Sequence, residues 1–337
     1  MMFMPLMLLF TLILFISVFL VISSPSWLGA WVGLEVNLMS FIPLMLSRVV
    51  ITSVESCVKY FLVQAFSSLL LLLSILTHMQ SAFNLWTQFS FPVMLLVVAL
   101  LIKLGAAPFH YWFPSVSSGI GWYQNFVLMT FQKVGPLVLL YYVWGLVPLT
   151  ILLVMGSAFV GSVGGLNQSS MRKLMAYSSI NHLGWLLVAC YFGLKFMFTY
   201  FLIYLFTNLF LVGVMASSGI YYLSQIYYYA SDGLKSILMM VTWFSFGGLP
   251  PFVGFFGKWL IISSMLDSGM LFLCFFLIMM SLVSLYYYTR VCYVVASQSS
   301  GMFINSSYET FGGWWFNFYV LILLTSLVGA PMFVMML

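Results

Sequence analysis

The chain has 337 residues, of which 64% are hydrophobic and only 4% are charged, and it carries a formal net charge of +5. A water-soluble domain carries about a quarter charged residues, so this composition excludes a fold whose whole surface faces water. Its apolar runs are long enough to cross a hydrocarbon core of about 30 Å, which makes an all-α polytopic membrane protein the expected class.

In chain order, runs between polar or Gly/Pro punctuation predict about eleven spans, near 3–22, 27–47, 58–78, 89–113, 121–145, 147–166, 172–191, 195–222, 234–263, 268–293 and 314–336. The opening MMFMPLMLLF has neither the basic segment of a secretory signal nor the Arg- and Ser-rich character of a transit peptide, so the first run is expected to remain as a helix. A chain this rich in methionine, with no presequence, fits synthesis inside the organelle that uses it. No hydrophilic stretch is large enough for a soluble module, and 1–337 is expected to be a single transmembrane domain. It comprises helices 1 to 5 at about 3–145, helices 6 to 10 at about 147–293 and a C-terminal helix at about 314–336.

With eleven spans the loops alternate sides. Arg48, Lys59, Arg172, Lys173, Lys235 and Arg290 fall on the side of the N-terminus, with Lys195 opposite. The positive-inside rule then puts the N-terminus in the cytoplasm or mitochondrial matrix and the C-terminus outside. These bases account for the net charge without a nucleic-acid partner. Cys57, Cys190, Cys274 and Cys292 are too scattered for an iron–sulfur, zinc or disulfide framework, so redox chemistry within the chain is not expected. GSVGG at 161–165 lacks the strand and following acid of a dinucleotide fingerprint, and the sequons at Asn167 and Asn305 lie on the inward side.

Three lysines and one acid remain inside spans: Lys103, Lys133, Lys258 and Glu35. Each costs about 2.5 to 3.5 kcal/mol at a helix centre, so something must offset that. One reading is snorkelling of each lysine to the headgroups. The other follows from their company. Lys103 lies in LLIKLGAAPFHYWFP, Lys133 precedes Gly135 and Pro136 in MTFQKVGPLVLL, and Lys258 lies in SFGGLPPFVGFFGKW. Glycine and proline interrupt these helices, and freed carbonyls at membrane depth are tolerable only beside protein or a hydrated cavity. Burial disfavours an ammonium and a nearby carboxylate restores it, so such a lysine can exchange a proton near neutrality. If Glu35 approaches Lys103, separating the two would push the proton onward.

The interrupted spans are the fourth of helices 1 to 5 and the fourth of helices 6 to 10, the pattern of two inverted five-helix repeats with two discontinuous helices. His182, near Ser178, Ser179 and Asn181, reads either as a relay or as a neutral imidazole held by a neighbouring helix. His110, seven residues after Lys103, is open to the same two readings, while His78 reads as structural. Glu55 and Lys59 have the i, i+4 order of a surface pair. Tyrosines and tryptophans at span ends, as in YYVWG, read as interfacial anchors.

These segments, together with SWLGAWVGLEVNLMSFIPLM, ESCVKYFLVQAFSS and GGLNQSSMRKLMAYSSINHLGW, resemble the subunit 2 family of mitochondrial NADH:ubiquinone oxidoreductase, respiratory complex I, over nearly the whole chain. The eleven-helix form is similar to the animal version, which lacks three N-terminal helices of bacterial relatives. The resemblance implies an antiporter-like, proton-translocating subunit of the mitochondrial inner membrane, with the N-terminus in the matrix and the C-terminus in the intermembrane space. Its implied partners are other membrane-arm subunits and inner-membrane lipids, and NADH, FMN, iron–sulfur clusters and ubiquinone are implied in other subunits. By motif, Glu35 matches the family's glutamate paired with a lysine and Lys103 its partner. Lys133 matches the central lysine, Lys258 the exit-side base, and His182 a polar position on the hydrated axis. The third element of the second half departs from related subunits in carrying no obvious acid or base. Two further readings stay open: a structural spacer without its own channel, and a stand-alone cation/proton antiporter.

Overall fold

The computed structural model describes residues 3–46, 50–80, 91–143, 148–226, 233–250 and 252–299, and these form an all-helical assembly. The elements run α1 (Phe3–Ser23), α2 (Trp27–Met45), α3 (Ile51–Gln80), α4 (Phe91–Leu104), α5 (Trp112–Gly119), α6 (Trp122–Met129), α7 (Phe131–Val143), α8 (Pro148–Gly165), α9 (Met171–Phe192) and α10 (Leu194–Ser218). A 3-10 turn at Leu223–Gln225 precedes α11 (Gly233–Gly247), α12 (Val253–Asp267) and α13 (Leu271–Ser299). Among the described residues six spans are long and apolar enough to cross a membrane: Leu6–Ser23, Trp27–Met45, Ile51–Thr77, Trp122–Val143, Leu194–Ser218 and Leu271–Ser297. The predicted eleventh span, near 314–336, and Arg48 lie outside the described residues, as do the side chains of His78 and Lys235.

The helices stop where backbone chemistry requires it. The predicted fourth span divides into α4 and α5, and the ninth into α11 and α12, at Gly105 and Gly248, whose φ angles of 69° and 75° are poorly accessible to other residues. The fifth span is also divided, but not at Gly135 and Pro136, which lie inside α7; the division falls at Thr130. Between α6 and α7, Thr130 adopts φ −115° and ψ −79°, and its hydroxyl donates to the Phe126 carbonyl at 2.6 Å. The third span begins at Ile51 rather than near 58, its first turns carrying the Glu55–Lys59 pair at 2.5 Å.

α9 is the centre of the assembly. It is buried on every face, from Met171 through Cys190, as expected of a helix enclosed by others rather than one turned to lipid or water. Its most extensive neighbour is α8. A Cβ on Gly161 would collide with the backbone of Asn181, and one on Gly164 would lie 2.5 Å from the Tyr177 ring. The GSVGG stretch is therefore a close-packing face, which suits a membrane, where association depends on van der Waals fit. The outer side of α1 exposes Leu8, Leu12, Ile16 and Phe19, one stripe of apolar side chains at helical spacing.

Arginines fasten the end where α8, α10 and α13 finish and α9 begins. Arg290 of α13 donates to the carbonyls of Leu166 and Gln168 at 2.8 and 2.7 Å, and Arg172 of α9 donates to the Ile120 carbonyl at 2.5 Å. A short backbone pairing joins the same end, with Met171 N donating to Tyr221 O at 2.9 Å and Leu223 N to Ser169 O at 3.0 Å.

Candidate functional site

The three lysines are interior side chains, not snorkelling ones: Lys103 is 6% exposed, Lys133 1% and Lys258 7%. Each sits beside an interruption. Lys103 occupies the last turn of α4, where the carbonyls released by the break find donors. The Trp112 indole donates to Ile102 O at 3.1 Å, and Gln64 Nε2 donates to Lys103 O at 3.3 Å. Lys133 lies in the first turn of α7, three residues after Thr130, and Pro136 one turn later has no N–H to offer the Gln132 carbonyl. Lys258 of α12 reaches back across its break and donates to Gly247 O, the last carbonyl of α11, at 2.8 Å. An ammonium there faces the negative end of the α11 dipole.

A cavity of about 10 Å³, the space of one water centre, joins the first two lysines. Lys103, Lys133, Asn37, Tyr60, Gln64 and Gln132 line it with apolar neighbours. Gln132 bridges its polar wall, donating to Asn37 Oδ1 at 2.9 Å and accepting from the Tyr60 hydroxyl at 3.1 Å. Glu35, on α2 two residues before Asn37, acts electrostatically on both Lys103 and Tyr60. The expected contact pair is not formed here: Glu35 and Lys103 are not within 4.0 Å, and Glu35 Oε1 is buried without a hydrogen-bond partner.

Beyond the cavity, Lys133 Nζ donates to Ser179 O at 3.2 Å and to the Tyr204 hydroxyl at 3.4 Å. It also lies 5.2 Å from the ring centroids of Phe113 and of Tyr204, where cation–π attraction helps to hold an otherwise desolvated charge. His182 follows one turn along α9 from Ser179. Its Nδ1 shares a 2.8 Å hydrogen bond with the Tyr200 hydroxyl, and its ring lies 5.1 Å from that of Tyr204 and 4.9 Å from that of Phe246. The imidazole also hydrogen-bonds the Phe246 backbone, one residue before the carbonyl that holds Lys258, and is within electrostatic reach of both Lys133 and Lys258. The polar series thus runs from Glu35 through Lys103, the cavity, Lys133 and His182 to Lys258.

His110 lies away from the cavity that joins Lys103 and Lys133. The break separates it from the face of Lys103, it does not line the cavity, and its Nδ1 contacts Pro108 O at 3.2 Å. Several members were missed in the sequence: Asn37, Tyr60, Gln64, Gln132, Tyr200 and Tyr204. The available signal was spacing, since Tyr60 and Gln64, and likewise Tyr200 and Tyr204, stand four residues apart on single helix faces within spans. Among the described residues no group of three or more His, Cys, Asp or Glu is placed to hold a metal.

The profile of the family "NADH:quinone oxidoreductase/Mrp antiporter, TM" matches residues 24–284, a stretch that contains every member of the series. The chain is 42% identical over 292 residues to NADH-ubiquinone oxidoreductase chain 2 of Anopheles gambiae, covering 85% of this chain and 84% of that one. It is 37% identical over 288 residues to the Locusta migratoria protein of the same name, again with 85% and 84% covered. Its fold is similar to a chain in a structure of respiratory complex I from Thermus thermophilus with bound aureothin. The TM-score is 0.80 at 24% identity, over 97% of this chain and 79% of that one. The chain belongs to the NADH-ubiquinone oxidoreductase chain 2 family, whose members carry the antiporter-like transmembrane fold.

Proposed function

We propose that this chain is a membrane-arm subunit of respiratory complex I that conducts protons across the mitochondrial inner membrane, driven by NADH-to-ubiquinone electron transfer in partner subunits. Glu35, Lys103, Lys133, His182 and Lys258 are the exchanging groups in this reading, and Tyr204, Tyr200 and Gln132 position them. The observation that carries the proposal is the burial of Lys133 between two aromatic rings and a helix carbonyl, with a hydroxyl as its nearest polar side chain and a polar cavity leading to Lys103. A buried ammonium without a carboxylate partner is costly to keep charged, so its proton is readily released when the local field changes.

Eleven spans, two inverted five-helix units at about 3–145 and 147–293, and a matrix-facing N-terminus complete the proposed organisation. The two interruptions in corresponding spans support the inverted units, and the gathering of Arg172 and Arg290 at one end supports the orientation. NADH, FMN, iron–sulfur clusters and ubiquinone then belong to neighbouring subunits, with inner-membrane lipid around the spans. The test is Lys133→Met in the assembled complex, with protons pumped per ubiquinone reduced measured in sealed vesicles. A lowered ratio with electron transfer retained is expected; an unchanged ratio in intact complex would leave the chain as a spacer.

A further inference from the structure

Two enclosed phenols lie beside the series from Glu35 to Lys258 without belonging to it. Tyr287 and Tyr288, adjacent on α13, are 0% and 1% exposed, although Tyr286 next to them is 62% exposed. Their rings pack edge to face at 4.6 Å, and the Tyr288 ring also lies 5.6 Å from those of Trp243 and Phe246. Phenylalanine would fill both places as well, so packing accounts for the rings and not for the hydroxyls. The hydroxyls are the costly part. Both oxygens are buried and complete no hydrogen bond within the protein, and a buried polar group left unpaired costs about 1–3 kcal/mol. A cost of that kind, kept twice on adjacent residues, calls for a role.

The neighbours of these hydroxyls give them a direction. Tyr288 is within interaction range of the Ser178 hydroxyl on α9 and within electrostatic reach of Tyr204, whose own hydroxyl accepts from Lys133 Nζ at 3.4 Å. Tyr287 is within range of Tyr288 and of the Ser284 hydroxyl, one turn back along α13. Ser178 and Ser284 each donate to a carbonyl of their own helix, at 2.6 and 2.7 Å, which leaves both serine oxygens with lone pairs to accept. On its other side the Tyr287 ring lies against Gly165, the last residue of α8, where a Cβ would come within 2.8 Å. The next residue, Leu166, gives its carbonyl to Arg290, and Asn167 after it is exposed. The oxygens of Tyr204, Ser178, Tyr288 and Tyr287 therefore mark a branch from Lys133 to the end of the bundle that Arg290 fastens. Hydroxyls in series through an apolar interior have the chemistry of a proton relay.

We propose that Tyr287 and Tyr288 relay protons between Lys133 and the bundle end on the Arg290 side, an inference that rests on the proton-conducting reading above. At each hydroxyl the oxygen takes an incoming proton as its own proton leaves for the next oxygen. One O–H bond forms as another breaks, no phenol changes charge over a complete passage, and the proton ends as an N–H bond on the neutral Lys133 amine. The test is Tyr287→Phe and Tyr288→Phe in the assembled complex, with Lys133→Met in parallel, measuring protons pumped per ubiquinone and melting temperature together. Each phenylalanine is expected to lower the proton ratio about as far as Lys133→Met does. The melting temperature should hold or rise, because the ring stays and the unpaired hydroxyl goes. Ser178→Ala, which leaves both rings in place, should also lower the ratio, and Tyr286→Phe on the exposed face should not. A normal ratio in both phenylalanine variants beside a lowered one in Lys133→Met would overturn the relay and leave the conducting role of the chain standing. A normal ratio in all three would overturn both. A lowered melting temperature with a normal ratio would assign the two phenols to structure alone and overturn the relay.

Discussion

Lys258 Nζ donates to the carbonyl of Gly247 at 2.8 Å, so the base on one half of a broken span caps the end of the other half. The space for that contact depends on the next residue. A Cβ on Gly248 would lie 3.1 Å from Nζ, at a φ of 75° that an L side chain adopts only with strain. Gly248→Ala should therefore destabilise the fold by about 1–2 kcal/mol and displace the ammonium. The expected readout is a lower melting temperature of the assembled complex together with fewer protons per ubiquinone. A normal proton ratio in a destabilised complex would show that the seat of Lys258 is structural only.

Tyr204 offers Lys133 both a hydroxyl and a ring face. Tyr204→Phe removes the first and keeps the second. Assembly and NADH oxidation should persist, with a proton ratio between those of the unmodified complex and Lys133→Met. A ratio equal to that of the unmodified complex would remove the phenol from the path.

Gln132 satisfies Asn37 and Tyr60 at once. Gln132→Leu strands an amide oxygen and a hydroxyl in the interior, at about 1–3 kcal/mol for a buried group left unpaired. Thermal unfolding of the purified complex should shift downward at this subunit. A second substitution, Asn37→Leu, should add less than its separate cost, because the two act through one network. Full additivity would contradict the bridge.

Gly161 lets the backbones of α8 and α9 approach closely. Gly161→Val should prevent stable incorporation of the subunit, since overpacking against rigid backbone costs about 1–3 kcal/mol or more. The measurement is the amount of intact complex on native gels. Gly193→Ala, whose Cβ would meet nothing within 4 Å but whose φ is 127°, isolates backbone strain from packing as a control.

Much of this organisation was legible where the governing chemistry is local. Glycines and prolines around Lys103 and Lys258 announced their own interruptions, and Glu55 four residues before Lys59 announced its pair. Around Lys133, Gly135 and Pro136 pointed to a break that the structure places instead at Thr130, a residue that is compatible with a helix. Tyr200 and Tyr204 went unnoticed because tyrosine in a membrane span first suggests an interfacial anchor, and only the fold shows both phenols facing His182 and Lys133. The gap between Glu35 and Lys103 was illegible for another reason: it depends on how α2 and α4 are placed relative to each other, a relationship between distant stretches of chain.

α9 presents Ser179 to Lys133 and, three residues later, His182 to the half of the molecule that holds Lys258. Three residues rise about 4.5 Å and return to nearly the same side of a helix. One stiff rod, clasped along its length by α8, therefore governs two stations together. Any slide or roll of that rod would displace the Ser179 carbonyl under Lys133 and the His182 ring together.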